Sequence, residues 1–211
     1  MSSFDAIIGK VFQNPHFIAI HDILSAENIP EETFIADFKE RFFQLLEDHV
    51  NDNEALKEES YYYILPGIAI YKTLQRYSKT PLESFKKMWF HGAEKGAAYL
   101  QEKARDEEFL AGWCRNITPK QTDRGAFIFD IKSVSDSYTE YHVLKCPYVL
   151  FCRENECQEI ITVFCDSDDI SFGNIHPRLI WGRTQTIGRG GQLCDFRYTY
   201  IKAERSADAA K

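Results

Sequence analysis

Apolar residues recur every three or four positions through the first half of the chain and then give way to alternation. After Pro30-Glu31-Glu32, where a proline and two acids suit a helix start, Phe34, Ile35, Phe38, Phe42, Leu45 and Leu46 mark one buried helical face. His49, near the end of that stripe, reads as a capping or surface histidine. Tyr63, Ile64, Ile68, Tyr71 and Leu74 keep the same period across Pro66-Gly67, which predicts a bent or split helix. The bend suits either a pocket lining or plain core. Thr80-Pro81-Leu82-Glu83 opens a third helix, with Thr80 as cap and Pro81 in the first turn. Phe85, Met88, Trp89, Gly92, Gly96 and Tyr99 follow on one side, and the two glycines let a neighbouring backbone come close. Residues 1–29 carry a weaker pattern, a short apolar run from Phe4 to Phe12 ended by Asn14-Pro15, and read as a packing arm.

Beyond the charged stretch QEKARDEE the expectation turns to strands. Phe109–Ile117 is short and mixed and is read as a strand; Gly125–Lys132 and Tyr138–Leu144 form a hairpin around the turn residues SVSDS. Two short helices follow, over Tyr148–Arg153 and Gln158–Asp166. Arg178–Ile187 and Cys194–Ile201 alternate on either side of Gly188-Arg189-Gly190-Gly191, which predicts a second hairpin. The tail ERSADAAK reads as frayed. The fold class is α+β: an N-terminal helical layer packed on a C-terminal antiparallel β-sheet. The expected divisions are 1–55 (helical extension), 56–202 (main α+β unit) and 203–211 (tail), within one compact domain.

Composition narrows the function. Six cysteines, 16 Phe and 11 Tyr sit in 211 residues with a net charge of −7. No block of Lys and Arg marks a nucleic-acid surface, and no apolar run approaches the ~20 residues of a spanning helix. The opening MSSFDAIIGKVFQNPHF does not read as a signal peptide, so a cytoplasmic location and reduced thiols are expected. A small molecule is the expected partner, rather than nucleic acid or membrane, and self-association into a homo-oligomer stays open.

Five of the six cysteines fall in the last third of the chain. Their spacing, C-x5-C-x4-C-x7-C and then a long gap to Cys194, is not a standard zinc motif, so no metal ligand is assigned and the cofactor is left unknown. Cys165-Asp166-Ser167-Asp168-Asp169 is placed at a helix end, where acids oppose the helix dipole; a general base, a ligand or a cap would explain them. On the last strand Asp195 and Arg197 share one face and Cys194 and Phe196 the other. Two arginines with an acid, Arg183, Arg197 and Asp195, suit a bound carboxylate or a structural ion pair.

The combination of ILPGIAIYKTL, Cys146-Pro147, CDSD at 165–168 and RTQTIGRGGQLCDFRY at 183–198 resembles the L-2-amino-thiazoline-4-carboxylic acid hydrolase family, over roughly residues 60–200. The resemblance implies hydrolytic opening of a thiazoline ring to a carbamoyl-cysteine, that is, hydrolysis at a C–N bond of a small cyclic amidine. For such a reaction Cys165 is the expected nucleophile, with an activated water as the alternative, and Asp168 the base or orienter. Arg183 and Arg197 are expected to hold the substrate carboxylate, and Thr184 to add a hydrogen bond. Cys194 and Asp195 complete the wall or supply the acid, and Cys146 stands at the site with its role open. The order of elements also looks, more loosely, like small-molecule-binding domains of the vinyl-reductase type. That suggests a competing class, a non-catalytic module in which Cys146, Cys165 and Cys194 converge on a soft metal or a thiol-reactive ligand.

Overall fold

The computed structural model describes residues 3–119 and 126–202. Helices α1 (Ser3–Gln13), α2 (Pro15–Ile18) and α3 (Ile20–Ala26) form the N-terminal arm, followed by α4 (Glu31–Asp48) and α5 (Glu54–Glu59). A π-helical turn, Ser60–Ile64, leads into α6 (Leu65–Tyr77), then α7 (Pro81–Lys103) and α8 (Glu107–Asn116). Strands β1 (Ile128–Val134) and β2 (Tyr138–Lys145) precede α9 (Pro147–Glu154) and α10 (Ile161–Phe172), and β3 (Leu179–Gly182) and β4 (Cys194–Tyr200) end the described fold. The strands make a four-stranded antiparallel sheet in the order β1-β2-β4-β3. This is the expected α+β arrangement.

The helical layer owes its cohesion to the stripes legible in the sequence. Phe34, Phe38 and Phe42 of α4 have no exposed surface and pack with Ile64, Ile68 and Leu74 of the next helical segment and with Phe85 and Trp89 of α7 in one core. Burying a side chain of that size is worth about 1.5–3 kcal/mol. His49 is the C-cap of α4 and its Nδ1 lies 3.1 Å from an Asp52 oxygen, a capping role. Pro66 breaks no continuous helix: the wider π-turn ends just before it and Pro66 takes a first-turn position in α6, where its missing N–H is harmless. Pro66 and Gly67 are buried, Gly67 against Trp89 and Phe164, so this stretch is core. Thr80 stands at the N-cap of α7 but its hydroxyl makes no capping bond.

Three expectations change. Phe109–Ile117 is not a strand; it belongs to α8, capped by the Asp106 carboxylate on the Glu108 amide, and its face Leu110, Trp113 and Cys114 covers the sheet beside Tyr198. The helix bearing Cys165 runs on to Phe172, so CDSDD lies within it. Arginines explain its acids: Arg183 pairs with Asp168 and Asp169, and Arg189 with Asp166. The last hairpin is not a tight one. Pairing stops at Gly182, and the connection carries a 3-10 turn, Ile187–Arg189, closed by Gly190 at φ +88°. Gly125 and the tail ERSADAAK lie outside the described residues.

The arm is fixed by one close approach. His16 of α2 lies against Gly92 of α7, and a Cβ there would overlap the His16 ring and backbone. The ring stacks on Trp89 at 4.3 Å, with Nδ1 2.9 Å from the Trp89 carbonyl. Gly92→Ala is therefore expected to cost about 1–3 kcal/mol through overpacking, read from the urea midpoint. An unchanged midpoint would show that α2 slides off α7 freely.

Candidate active site

The inner face of the sheet, α9, α10, the end of α5 with the π-turn, and the end of α8 line a cavity of about 740 Å³, with Trp89 of α7. Strand alternation decides which side chains reach it. In β4, Cys194 and Phe196 lie on the inner face, opposite Val143 and Tyr141 of β2; Asp195 and Arg197 lie on the outer face, opposite His142 and Glu140. Cys165 and Asp168, three residues apart on α10, share the side of the helix that lines the cavity. Cys146 enters as the N-cap residue of α9. Cys146, Cys165, Cys194, Asp168 and Arg183 thus border one space.

Arg183 organises this wall. Its guanidinium donates Nη1 to Asp168 at 2.9 Å and Nη2 to Asp169 at 2.8 Å, and Nη2 also meets the Cys165 carbonyl. The Trp181 and Phe196 rings flank it at 5.6 Å. With 6% of its side chain exposed, this arginine is consumed in holding α10 and has no free fork for a substrate carboxylate. Asp168 keeps about a third of its surface open, at the cavity it lines (35% exposed). Burial pushes its pKa up to about 6, against the pull of Arg183.

The three thiols differ. Burial pushes Cys146 up to about 12, although the Val149 and Tyr148 amides favour its thiolate. Cys194 is pushed up to about 11, and its sulfur already accepts the Ile187 N–H at 3.3 Å. Cys165 is half-buried; burial and the Asp168 charge raise it too, and the Thr186 hydroxyl, Arg183 and Arg189 offset that only in part. Of the three, it combines a partly exposed side chain with nearby cations. Among the described residues, no group of three or more His, Cys, Asp and Glu side chains is arranged to hold a metal ion.

Asp195, Thr184 and Arg197 do not line the cavity. The Asp195 carboxylate accepts the Thr184 amide at 2.9 Å, the Gln185 amide at 2.8 Å and the Thr184 hydroxyl at 2.7 Å, and pairs with Arg197. Those bonds saturate it and make the cluster a brace for the chain leaving β3. The expectation that Arg197 and Thr184 touch substrate, and that Asp195 forms wall or supplies acid, therefore meets a structural ion pair instead.

Residues 57–198 match the model of the L-2-amino-thiazoline-4-carboxylic acid hydrolase family. The chain belongs to that family. No curated protein and no solved structure matches it. The family segment contains the cysteines, Asp168 and Arg183, whereas His16, which also lines the cavity, comes from the arm before it. Burial lowers the His16 pKa, against its bond to the Trp89 carbonyl. Sequence reasoning passes over Glu59 and Tyr148, which meet across the cavity wall with Tyr148 Oη donating to Glu59 at 2.8 Å. Glu59 ends a charged helix and Tyr148 follows Cys146-Pro147; only the unusual run of three tyrosines at 61–63 hints at a special turn beside it. No described helix is long and apolar enough to cross a membrane.

Proposed function

We propose that the protein hydrolyses a C–N bond of a small cyclic amidine such as L-2-amino-thiazoline-4-carboxylate, with Cys165 as nucleophile and Asp168 as base. The observation that carries this reading is the shared cavity wall on which a partly exposed cysteine and a carboxylate of raised pKa stand one helical turn apart under a single buried arginine. Asp168 carries the Cys165 proton to the ring nitrogen as sulfur attacks the amidine carbon. The ring C–N bond then breaks, the exocyclic nitrogen is left as an imine, and its proton goes to the departing amine. Water next adds to that carbon, the bond to the Cys165 sulfur breaks, and the carbamoyl group stays on the substrate's own sulfur. The cavity suits this chemistry: the carboxyl groups of Asp168, Glu58 and Glu59 line it, complementary to an amidine, and about 740 Å³ leaves room for water beside a single ring.

Incubating the full chain with L-2-amino-thiazoline-4-carboxylate and following a product one water heavier by mass spectrometry tests the reading, with and without a chelator. Turnover that survives the chelator supports it. Turnover lost with the chelator, or none with either, removes the thiol mechanism for this substrate.

The acid limb of the rate profile follows from Asp168. Its pKa is raised, so the carboxyl is neutral below about pH 6 and a base only above it. The ratio kcat/KM is expected to rise with pH through about 6 and level off. Asp168→Asn should lower the plateau about a hundred-fold or more and flatten that limb. A variant that keeps the limb would exclude Asp168 as the base.

A further inference from the structure

The cavity wall also carries a hydrogen-bonded pair to which the reaction above assigns no step, Glu59 and Tyr148. Glu59 is the last residue of α5, and the π-turn Ser60–Ile64 begins immediately after it. In that wider turn Glu59 and Tyr63 come to the same side, and both line the cavity. From the other wall Tyr148 of α9, two residues after Cys146, reaches across to donate its hydroxyl to Glu59 Oε1 at 2.8 Å. The Tyr148 ring rests on Phe164, the neighbour of Cys165, at 4.9 Å. Tyr148 and Glu59 thus line the same cavity as Cys146, Cys165 and Asp168. Burial pushes Glu59 up, against the Tyr148 bond, as suits a group that gains and loses a proton.

We propose that Glu59, with Tyr148 as relay, is the acid–base group of the water-adding step. The proposal rests on the hydrolase reading above. Water gives one proton to the Tyr148 oxygen while Tyr148 passes its own to Glu59, and the water oxygen bonds to the carbon held on Cys165. The carbon–sulfur bond then breaks and the proton returns by the same path to the sulfur. The second water proton ends on the imino nitrogen, which leaves a carbonyl and a free thiol, so one water is consumed and nothing is oxidised or reduced.

The opened ring stays attached to its own leaving nitrogen, so the covalent intermediate has the mass of protein plus whole substrate. Glu59→Gln keeps an acceptor for Tyr148 and removes a carboxyl that burial penalises, so this variant is expected to melt no lower than the parent. It should turn over at least about a hundred-fold more slowly and accumulate the intact-substrate adduct, seen by mass spectrometry of the acid-quenched protein. Adding Cys165→Ser should abolish the adduct, and Tyr148→Phe should accumulate it more weakly. Glu59→Gln turning over like the parent, or slowed with no adduct, would overturn the proposal while the hydrolase reading stands. A parent protein inert towards the thiazoline, with no adduct on either form, would remove both.

Discussion

Cys165→Ser is expected to lose about a thousand-fold or more in turnover of the thiazoline while keeping its fold. Serine keeps the size of the side chain, and Cys165 is only half-buried, so packing against Ile161 and Gly188 changes little. What changes is the nucleophile. A hydroxyl is far harder to ionise than a thiol, and Asp168, with a pKa of about 6, is too weak a base to make up the difference. The same exchange at Cys194 should matter less to the chemistry, because that sulfur is occupied by the Ile187 amide. Comparing the two variants by steady-state kinetics and by thermal melting separates a chemical role from a packing role. Equal losses at both positions would mean that the thiols act as a wall and not as one nucleophile among three.

The second large effect is on stability. Asp195→Ala is expected to cost about 2–4 kcal/mol, read from the urea midpoint at pH 7. The residue is 4% exposed, and its loss strands the Thr184 and Gln185 amides and leaves Arg197 unpaired. Burial alone would raise its pKa, but the bonds from Thr184, Gln185 and Arg197 outweigh that and hold the carboxyl well below the usual carboxylate range. A depressed carboxylate stabilises the fold above the unfolded pKa, about 4, and that contribution fades as pH falls towards the folded value. The gap between parent and variant should therefore narrow on acidification below about pH 4. Arg183 adjoins Thr184, so the variant should also lose activity through a loosened Asp168. A midpoint unchanged at pH 7 would contradict the brace.

How much of the molecule is legible in its sequence depends on the range of the interaction. The faces of α4, α6 and α7 follow from local periodicity, and alternation alone sets Asp195 and Arg197 opposite Cys194 and Phe196 in β4. Helix α8 is hidden because it is short and its apolar positions are mixed, and its cap, Asp106, sits inside a charged run. The acids after Cys165 look like a helix end because Asp and Ser are common breakers. Ion pairs to Arg183 and Arg189, from a segment more than a dozen residues on, carry the helix through them. The role of Asp195 is misread for a related reason: its partners are backbone amides presented by an irregular connection, which no side-chain pattern reveals. The Glu59–Tyr148 contact joins residues 89 apart and lies beyond any local signal.

The most direct test of the account is peptide mapping of the full-length protein, acid-quenched during turnover of L-2-amino-thiazoline-4-carboxylate. A peptide carrying the mass of the intact substrate is expected, with the modification on Cys165. Modification confined to Cys146 or Cys194, or brisk turnover with no modified peptide at any quench time, would contradict it.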